Sequence, residues 1–264
     1  MYEILDSLPP TAKVLDVGSR EGSFRAEDYR FTTVRVDLNV PVHRDQSFIR
    51  ADVIQMPFAS GTFDAVILNH CLEHFVDLKR SIQEVGRVVH RHGAAFVSIP
   101  DASSLSDKLY RRVARDAGGH VNMFRSAPEV EKLLEWYLGV PHVATRTLYG
   151  GLSFLNRRNI VGRTEIRSQM RFSGFPEPVL ALLNASLRLL DKSHRTRLSV
   201  YGWAMYFGRV PQIVGETPLN NVCMRCGKGV SFAETQAYVC MKRGLLGSRY
   251  RCPDCGAVNV AVDY

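Results

Sequence analysis

The stretch "KVLDVGSREGSF", residues 13–24, constrains the fold more than any other. Val14, Leu15 and Val17 form a compact apolar run without hydrophobic–polar alternation, which is how a strand covered on both faces reads. A turn holding Gly18 and Gly22 follows at once. Strands covered on both faces belong to parallel sheets, and parallel neighbours need a crossover, usually a helix. The chain then repeats the theme. We expect further strands at 31–40, 47–53, 63–69 and 93–100, and later at 142–151 and 198–210. Before the fifth strand, Leu78, Ile82, Val85, Val88 and Val89 recur at helical spacing, and Gly93 is placed to cap that helix. A second helix is expected over 126–139, with Ser126 as N-cap, Pro128 in the first turn and Glu129 three residues after the cap. The expected fold is α/β: a doubly wound, mostly parallel, seven-stranded sheet.

A strand, a glycine turn and a helix together hold a polar or anionic ligand, because glycine lets backbone and ligand approach closely. A dinucleotide loop needs G-x-G-x-x-G, and the third glycine is missing here. The segment instead resembles the first motif of class I S-adenosylmethionine-dependent methyltransferases, D-x-G-x-G-x-G. Asp16, Gly18 and Gly22 match, and Arg20 replaces the middle glycine. Asp37 closes the second strand, and "RADVIQMPFASGTFDAVILNHCLEHF" resembles the family's next block in the same order. The resemblance covers residues 10–140, and reaches 210 if the last two strands complete a Rossmann-like sheet.

The resemblance implies S-adenosyl-L-methionine as cofactor. It implies that Asp37 accepts hydrogen bonds from the ribose hydroxyls, that Asp52 meets the adenine amino group, and that Val53 and Ile54 flank the adenine ring. Asn69 ends the fourth strand on the cofactor side, and Arg20 is a candidate partner for the donor's carboxylate. Acceptor-site candidates are His70 and His74, which follow strand four, His120, and more weakly Tyr110. Cys71 reads as a small buried residue. "NHCL" stands where amino-group methylating relatives carry an asparagine-proline-proline-tyrosine type motif. The acceptor stays open between a small molecule or glycan and an RNA or protein. The rival reading is a non-catalytic binding or scaffold protein on the same fold.

Five of the six cysteines fall in the last 42 residues. Cys223 and Cys226, then Cys252 and Cys255, form two C-x-x-C-G knuckles, the soft tetrahedral donor set that zinc takes. The tail resembles a zinc ribbon and leaves Cys240 as a spare thiol. The expected organisation is a methyltransferase domain over 1–210 with a basic, helical insertion at 152–197, a linker at 211–221 and a zinc-ribbon-like module at 222–264. In the insertion, Val179, Leu180, Leu183, Leu187 and Leu190 mark one helical face, expected to pack on its own domain, with a membrane-surface or partner role as the alternative. Residues 105–200 carry 16 Lys/Arg against 8 Asp/Glu, whereas residues 1–104 carry 11 against 14. That basic middle region, with "KRGLLGSRYR" near the second knuckle, leaves nucleic acid open as a partner. No apolar stretch approaches the roughly 20 residues of a membrane span, and no secretory signal is evident, so a cytoplasmic location is expected.

Overall fold

The computed structural model describes residues 1–19, 22–41, 47–113, 119–150, 152–160, 174–212, 219–231, 242–244, 247–252 and 255–261. Arg20 and Cys240 therefore lie outside the described residues. The chain forms two compact units: residues 1–99, 121–145 and 204–216 make the first, and 100–120, 146–203 and 217–264 the second.

The first unit holds α1 (Tyr2–Ser7), β1 (Lys13–Val17), β2 (Thr32–Asp37), β3 (Phe48–Arg50), β4 (Phe63–Asn69), α2 (Leu78–Val88) and α4 (Ala127–Leu138). It also takes nearly all of β5 (Val89–Pro100), the first half of β6 (His142–Tyr149) and the last part of β7 (Val200–Gly208). The strand order is β3-β2-β1-β4-β5-β7-β6. β1 pairs in parallel with both β2 and β4, so the order reverses direction at β1, the point where open α/β sheets gather ligands at their carboxyl ends. β4, the most central apolar run, buries Phe63 and Ala65 through Leu68, as a strand covered on both faces should.

The first helix of the crossover behaves as its periodicity predicts. Asp77 caps α2 by accepting the Arg80 N–H at 3.1 Å, and Ile82, Val85 and Val88 are buried. Its end corrects the sequence reading. α2 stops at Val88, β5 begins at Val89, and Gly93 sits inside β5 instead of capping the helix. A side chain at Gly93 would meet the Asp64 carbonyl oxygen at 2.8 Å, and one at Gly208 would collide with the Gly93 carbonyl oxygen. Gly93 therefore serves close backbone packing between strands. On α4, Val130, Leu134 and Leu138 face the core and Gly139 ends the helix at φ +69°; Ser126 holds the N-cap position without a side-chain hydrogen bond.

The second unit holds α3 (Leu105–Val113), α5 (Arg157–Ile160), α6 (Glu177–His194) and the remaining parts of β6 and β7. It adds β8 (Leu219–Val222), β9 (Gly229–Ser231), β10 (Lys242–Gly244), β11 (Gly247–Arg251) and β12 (Val258–Ala261). β8 pairs in parallel with β6 and antiparallel with β9, and β10-β11-β12 form an antiparallel sheet of three. β8 and β9 are strands the sequence did not announce; β8 begins inside the segment read as a linker, where "LNNV" is too short and polar to alternate. The expected α6 face also divides. Leu180 is buried and Leu187 half-buried, while Val179, Leu183 and Leu190 are exposed. The buried side is built instead from Leu180, Ala181, Asn184 and Asp191.

Candidate cofactor site and cysteine cluster

The carboxyl ends of β1 to β4 carry nearly every cofactor residue expected from sequence. After Val17 the chain turns through Gly18 at φ +64°, whose N–H donates to the Val36 carbonyl at 2.7 Å, and then through Gly22 at φ +104°. Both angles lie where side chains are strained. A Cβ at Gly18 would stand 2.7 Å from the Cys71 Cβ, so the loop after β1 and the loop after β4 are held backbone-close. Cys71 is buried, and burial pushes its thiol well above the ordinary value, with the charges of Glu73, Asp16 and Asp37 adding to the rise. It is a packing residue and no thiolate nucleophile.

Asp16 is buried at the end of β1. Its Oδ2 accepts the Ser23 N–H at 2.8 Å and so ties the loop back to the strand. Its Oδ1 is buried without a hydrogen-bond partner among the described residues. Burial pushes its pKa up to about 6, against the lowering effect of the Ser23 and Ser19 hydrogen bonds and the Arg35 charge. Asp16 thus shapes the loop from beneath it.

Asp37 ends β2 half-buried, with Oδ1 accepting the Asn39 N–H at 2.8 Å. Asp52 follows β3 exposed, with Oδ1 accepting the Ile54 N–H at 3.1 Å, beside half-buried Val53 and Ile54. Each carboxylate presents two acceptor oxygens. Acceptors for hydroxyl and amino donors, next to apolar side chains, are what a nucleoside with a free ribose diol requires. This set of acceptors and apolar neighbours therefore fits the cofactor that the sequence implied.

Asn69 ends β4 and accepts the Ser98 hydroxyl through Oδ1. His70 follows with φ +53°, a left-handed conformation rare for a side-chain-bearing residue, while its N–H donates to the Ser98 carbonyl at 3.0 Å. Glu73, one turn on, is 2 % exposed, and its Oε1 lies 3.8 Å from His70 Nδ1. Burial would raise the Glu73 carboxyl, but facing His70, with the His74 charge, holds it below the usual range. The turn is pinned by Asn122, whose side chain donates to the Leu72 and Phe75 carbonyls at 3.0 and 2.6 Å. Sequence reasoning named His70 and His74 and passed over Glu73, although it stands in the same Leu-Glu-His run; only burial distinguishes it. His74 is exposed. His120 belongs to the second unit, where its Nδ1 lies 3.8 Å from buried Asp107 and its ring stacks on Tyr110.

The two knuckles fold alike. In the first, the Gly227 N–H donates to the Cys223 carbonyl at 3.0 Å and the Cys223 N–H to the Lys228 carbonyl at 2.8 Å; in the second, Gly256 donates to Cys252 at 2.9 Å and Cys252 to Ala257 at 2.8 Å. Gly227 and Gly256 take φ of +76° and +67°. The four sulfurs all lie within 4.8 Å of one another, with Cys223–Cys255 at 3.6 Å and Cys226–Cys252 at 3.5 Å. A tetrahedron with zinc–sulfur bonds of about 2.3 Å has sulfur–sulfur edges of about 3.8 Å, and a disulfide is near 2.05 Å. The spacing fits a four-thiolate zinc ion and none of these cysteines is disulfide-bonded. Two supports were not read from sequence. Asn259 donates to Cys223 Sγ at 3.4 Å and accepts the Met224 N–H at 2.9 Å. Arg225 grips Glu177 of α6 with two bonds of 2.6 and 2.7 Å and the Cys255 carbonyl with a third of 2.7 Å.

A family model described as a methyltransferase domain matches residues 2–137, just over half of the chain. The demethylmenaquinone methyltransferase of Corynebacterium urealyticum is 33% identical over 93 residues, a match spanning 33% of this chain and 40% of that protein. The protein of the same name from Renibacterium salmoninarum is 26% identical over 187 residues, 60% of this chain and 78% of its own. Among solved structures, a SAM dependent methyltransferase from Archaeoglobus fulgidus superposes with a TM-score of 0.50 at 17% identity, covering 75% of this chain and 86% of that one, which shows the shared fold. With the matched family model spanning β1 to β5 and the glycine, Asp37, Asp52 and Glu73 loops, the chain belongs to the methyltransferase-domain family, the class I S-adenosylmethionine-dependent methyltransferases.

Proposed function

We propose that the protein transfers a methyl group from S-adenosylmethionine to a small-molecule acceptor, and that a C-terminal zinc-ribbon-like module over 222–264 braces the second unit. The observation that carries the catalytic reading is the loop after β1: two glycines at positive φ, the first packed against Cys71, with buried Asp16 tying the loop down through the Ser23 N–H. When bound, the cofactor supplies a methyl group already activated on a sulfonium. In this reading Gly18 and Gly22 let the backbone come close to it, Asp37 accepts from the ribose hydroxyls, and Asp52 accepts from the adenine amino group. Val53 and Ile54 cover the ring faces, and Asn69 and His70 border the methyl-bearing end. Arg20, outside the described residues, is assigned the donor's carboxylate. The exposed His74, and His120 in the second unit, are kept as acceptor-side candidates. Family membership favours this reading over a non-catalytic scaffold.

The names of the two quinone-methylating relatives support a small-molecule acceptor. A nucleic-acid acceptor loses one of its props, because Tyr250, the aromatic expected among the basic residues near the second knuckle, is 1% exposed and so is withheld from base stacking. The zinc reading rests on the sulfur spacing, and the ion would supply folding energy to a tail with a small core. The test is to incubate the protein with methyl-labelled cofactor and cell extract, then fractionate the label. Label in the solvent-extracted small-molecule fraction supports the proposal. Label that stays with nuclease- or protease-sensitive material overturns the acceptor assignment, and no transferred label overturns the activity.

A further inference from the structure

We infer that the four-cysteine centre and α6 are coupled through Arg225: metal held by the cysteines fixes the start of the helix, and Glu177 on the helix raises the affinity for the metal. The coupling rests on the reading of the centre as a zinc site, and adds what the ion controls. Met224 and Arg225 stand between the two ligands of the first knuckle, and neither is given over to solvent: Met224 is 4% exposed and the Arg225 side chain 25%. Arg225 reaches three ways. Its backbone N–H donates to Cys223 Sγ at 3.4 Å, its guanidinium donates to the Cys255 carbonyl at 2.7 Å, and Nε and Nη2 donate to the two Glu177 oxygens at 2.6 and 2.7 Å. One residue thus joins both knuckles to the first turn of α6, and the paired bonds fix angle as well as distance. Met224 adds a second tie. Its carbonyl accepts the Asn156 side chain at 2.9 Å, its sulfur accepts the Asn184 side chain of α6 at 2.6 Å, and it packs in one buried cluster with Leu180.

The start of α6 depends on this grip. Pro176 occupies the N-cap position, and no side-chain hydrogen bond caps the helix there among the described residues. Arg158 also lies 3.6 Å from Glu177, but its side chain is 69% exposed, where an ion pair contributes little. The far end of the helix is held separately, by Asp191 accepting the Leu198 and Ser199 N–H groups at 2.7 and 2.8 Å. β12, on which α6 packs, comes just after the second knuckle. The elements that hold the helix are therefore aimed by the two knuckles. What aims the knuckles is the metal, because four thiolates within 4.8 Å of one another repel unless a cation lies among them. By linkage the effect runs both ways: if metal binding favours docked α6, docked α6 favours the metal by the same factor.

The test is the zinc affinity of the full chain by chelator competition, with hydrogen–deuterium exchange of α6 on the same samples. Glu177→Gln alters no ligand and removes a negative charge near four thiolates, which by charge alone should favour the centre. The coupling predicts the opposite: Glu177→Gln and Arg225→Met should each lower zinc affinity about tenfold. Chelating the metal from wild type should speed exchange at the start of α6 by about the same factor, while β4 in the first unit keeps its protection. A wild-type chain that binds no zinc overturns the zinc reading and the coupling with it. A chain that binds zinc, but whose affinity Glu177→Gln leaves unchanged or raises, overturns the coupling alone, as does α6 exchange that chelation leaves unchanged. Should Arg225→Met not fold, Glu177→Gln decides, because its amide keeps the size and one acceptor oxygen of the carboxylate.

Discussion

Burying Asp16 under the glycine loop should cost stability in a pH-dependent way, and the cost can be worked out. Its carboxyl is pushed from 3.8 to about 6, chiefly by burial. In the unfolded chain it ionises near its ordinary value. Between the two values the unfolded state loses its proton while the folded state keeps it, so folding stability is full below the unfolded pKa and is lost as pH rises through the folded one. A shift of about 2 units corresponds to about 3 kcal/mol once both forms are ionised. Asp16→Asn removes the titration. The amide also leaves a fixed offset, because Oδ1 has no partner among the described residues and an Nδ2 there would have none either. That offset is the same at every pH. The difference in unfolding free energy, variant minus wild type, should therefore climb by about 2–3 kcal/mol between pH 4 and pH 7.5, whatever its starting value. Urea denaturation of both proteins across that range measures it. A flat difference, or one that falls with pH, would refute the claim that a desolvated carboxylate organises this loop.

Other perturbations probe other parts. Gly18→Ala forces a side chain into a left-handed turn, about 1–2 kcal/mol, and against Cys71 at 2.7 Å, so the melting temperature and cofactor affinity should both fall; Cys71→Gly in the same chain should restore part of the loss. Glu73→Gln should lower stability at pH 7 by about 1–3 kcal/mol, and the deficit should shrink in acid, because a carboxylate held below its usual range contributes stability only where it is ionised. Cys252→Ser should carry less than about a tenth of the zinc of the wild type by elemental analysis, with about one ion per wild-type chain.

The parts of the fold legible in sequence are those where burial writes itself as composition. β1 and β4 are apolar on both faces, and the knuckles are fixed by covalent spacing. Gly93 misled because a glycine after a helical run reads as a cap, while the strand partners that require it, Asp64 and Gly208, are remote in sequence. The α6 stripe misled differently: periodicity finds an apolar face, but only neighbouring elements decide which leucines are covered. The positions of Asp16, Asp37 and Asp52 were legible because each lies at or just past the end of a strand. Glu73 was not, since a lone acid carries no signal of the burial that sets it against His70.

The central claim is that the loops after β1, β2 and β3 hold S-adenosylmethionine. Isothermal titration calorimetry of the full chain tests it most directly. The account predicts one cofactor per chain, with affinity lowered at least about tenfold by Asp37→Ala, the loss expected when a charged hydrogen-bond acceptor is removed. No binding heat from a folded wild-type protein, or an Asp37→Ala variant that binds as tightly as wild type, would contradict it.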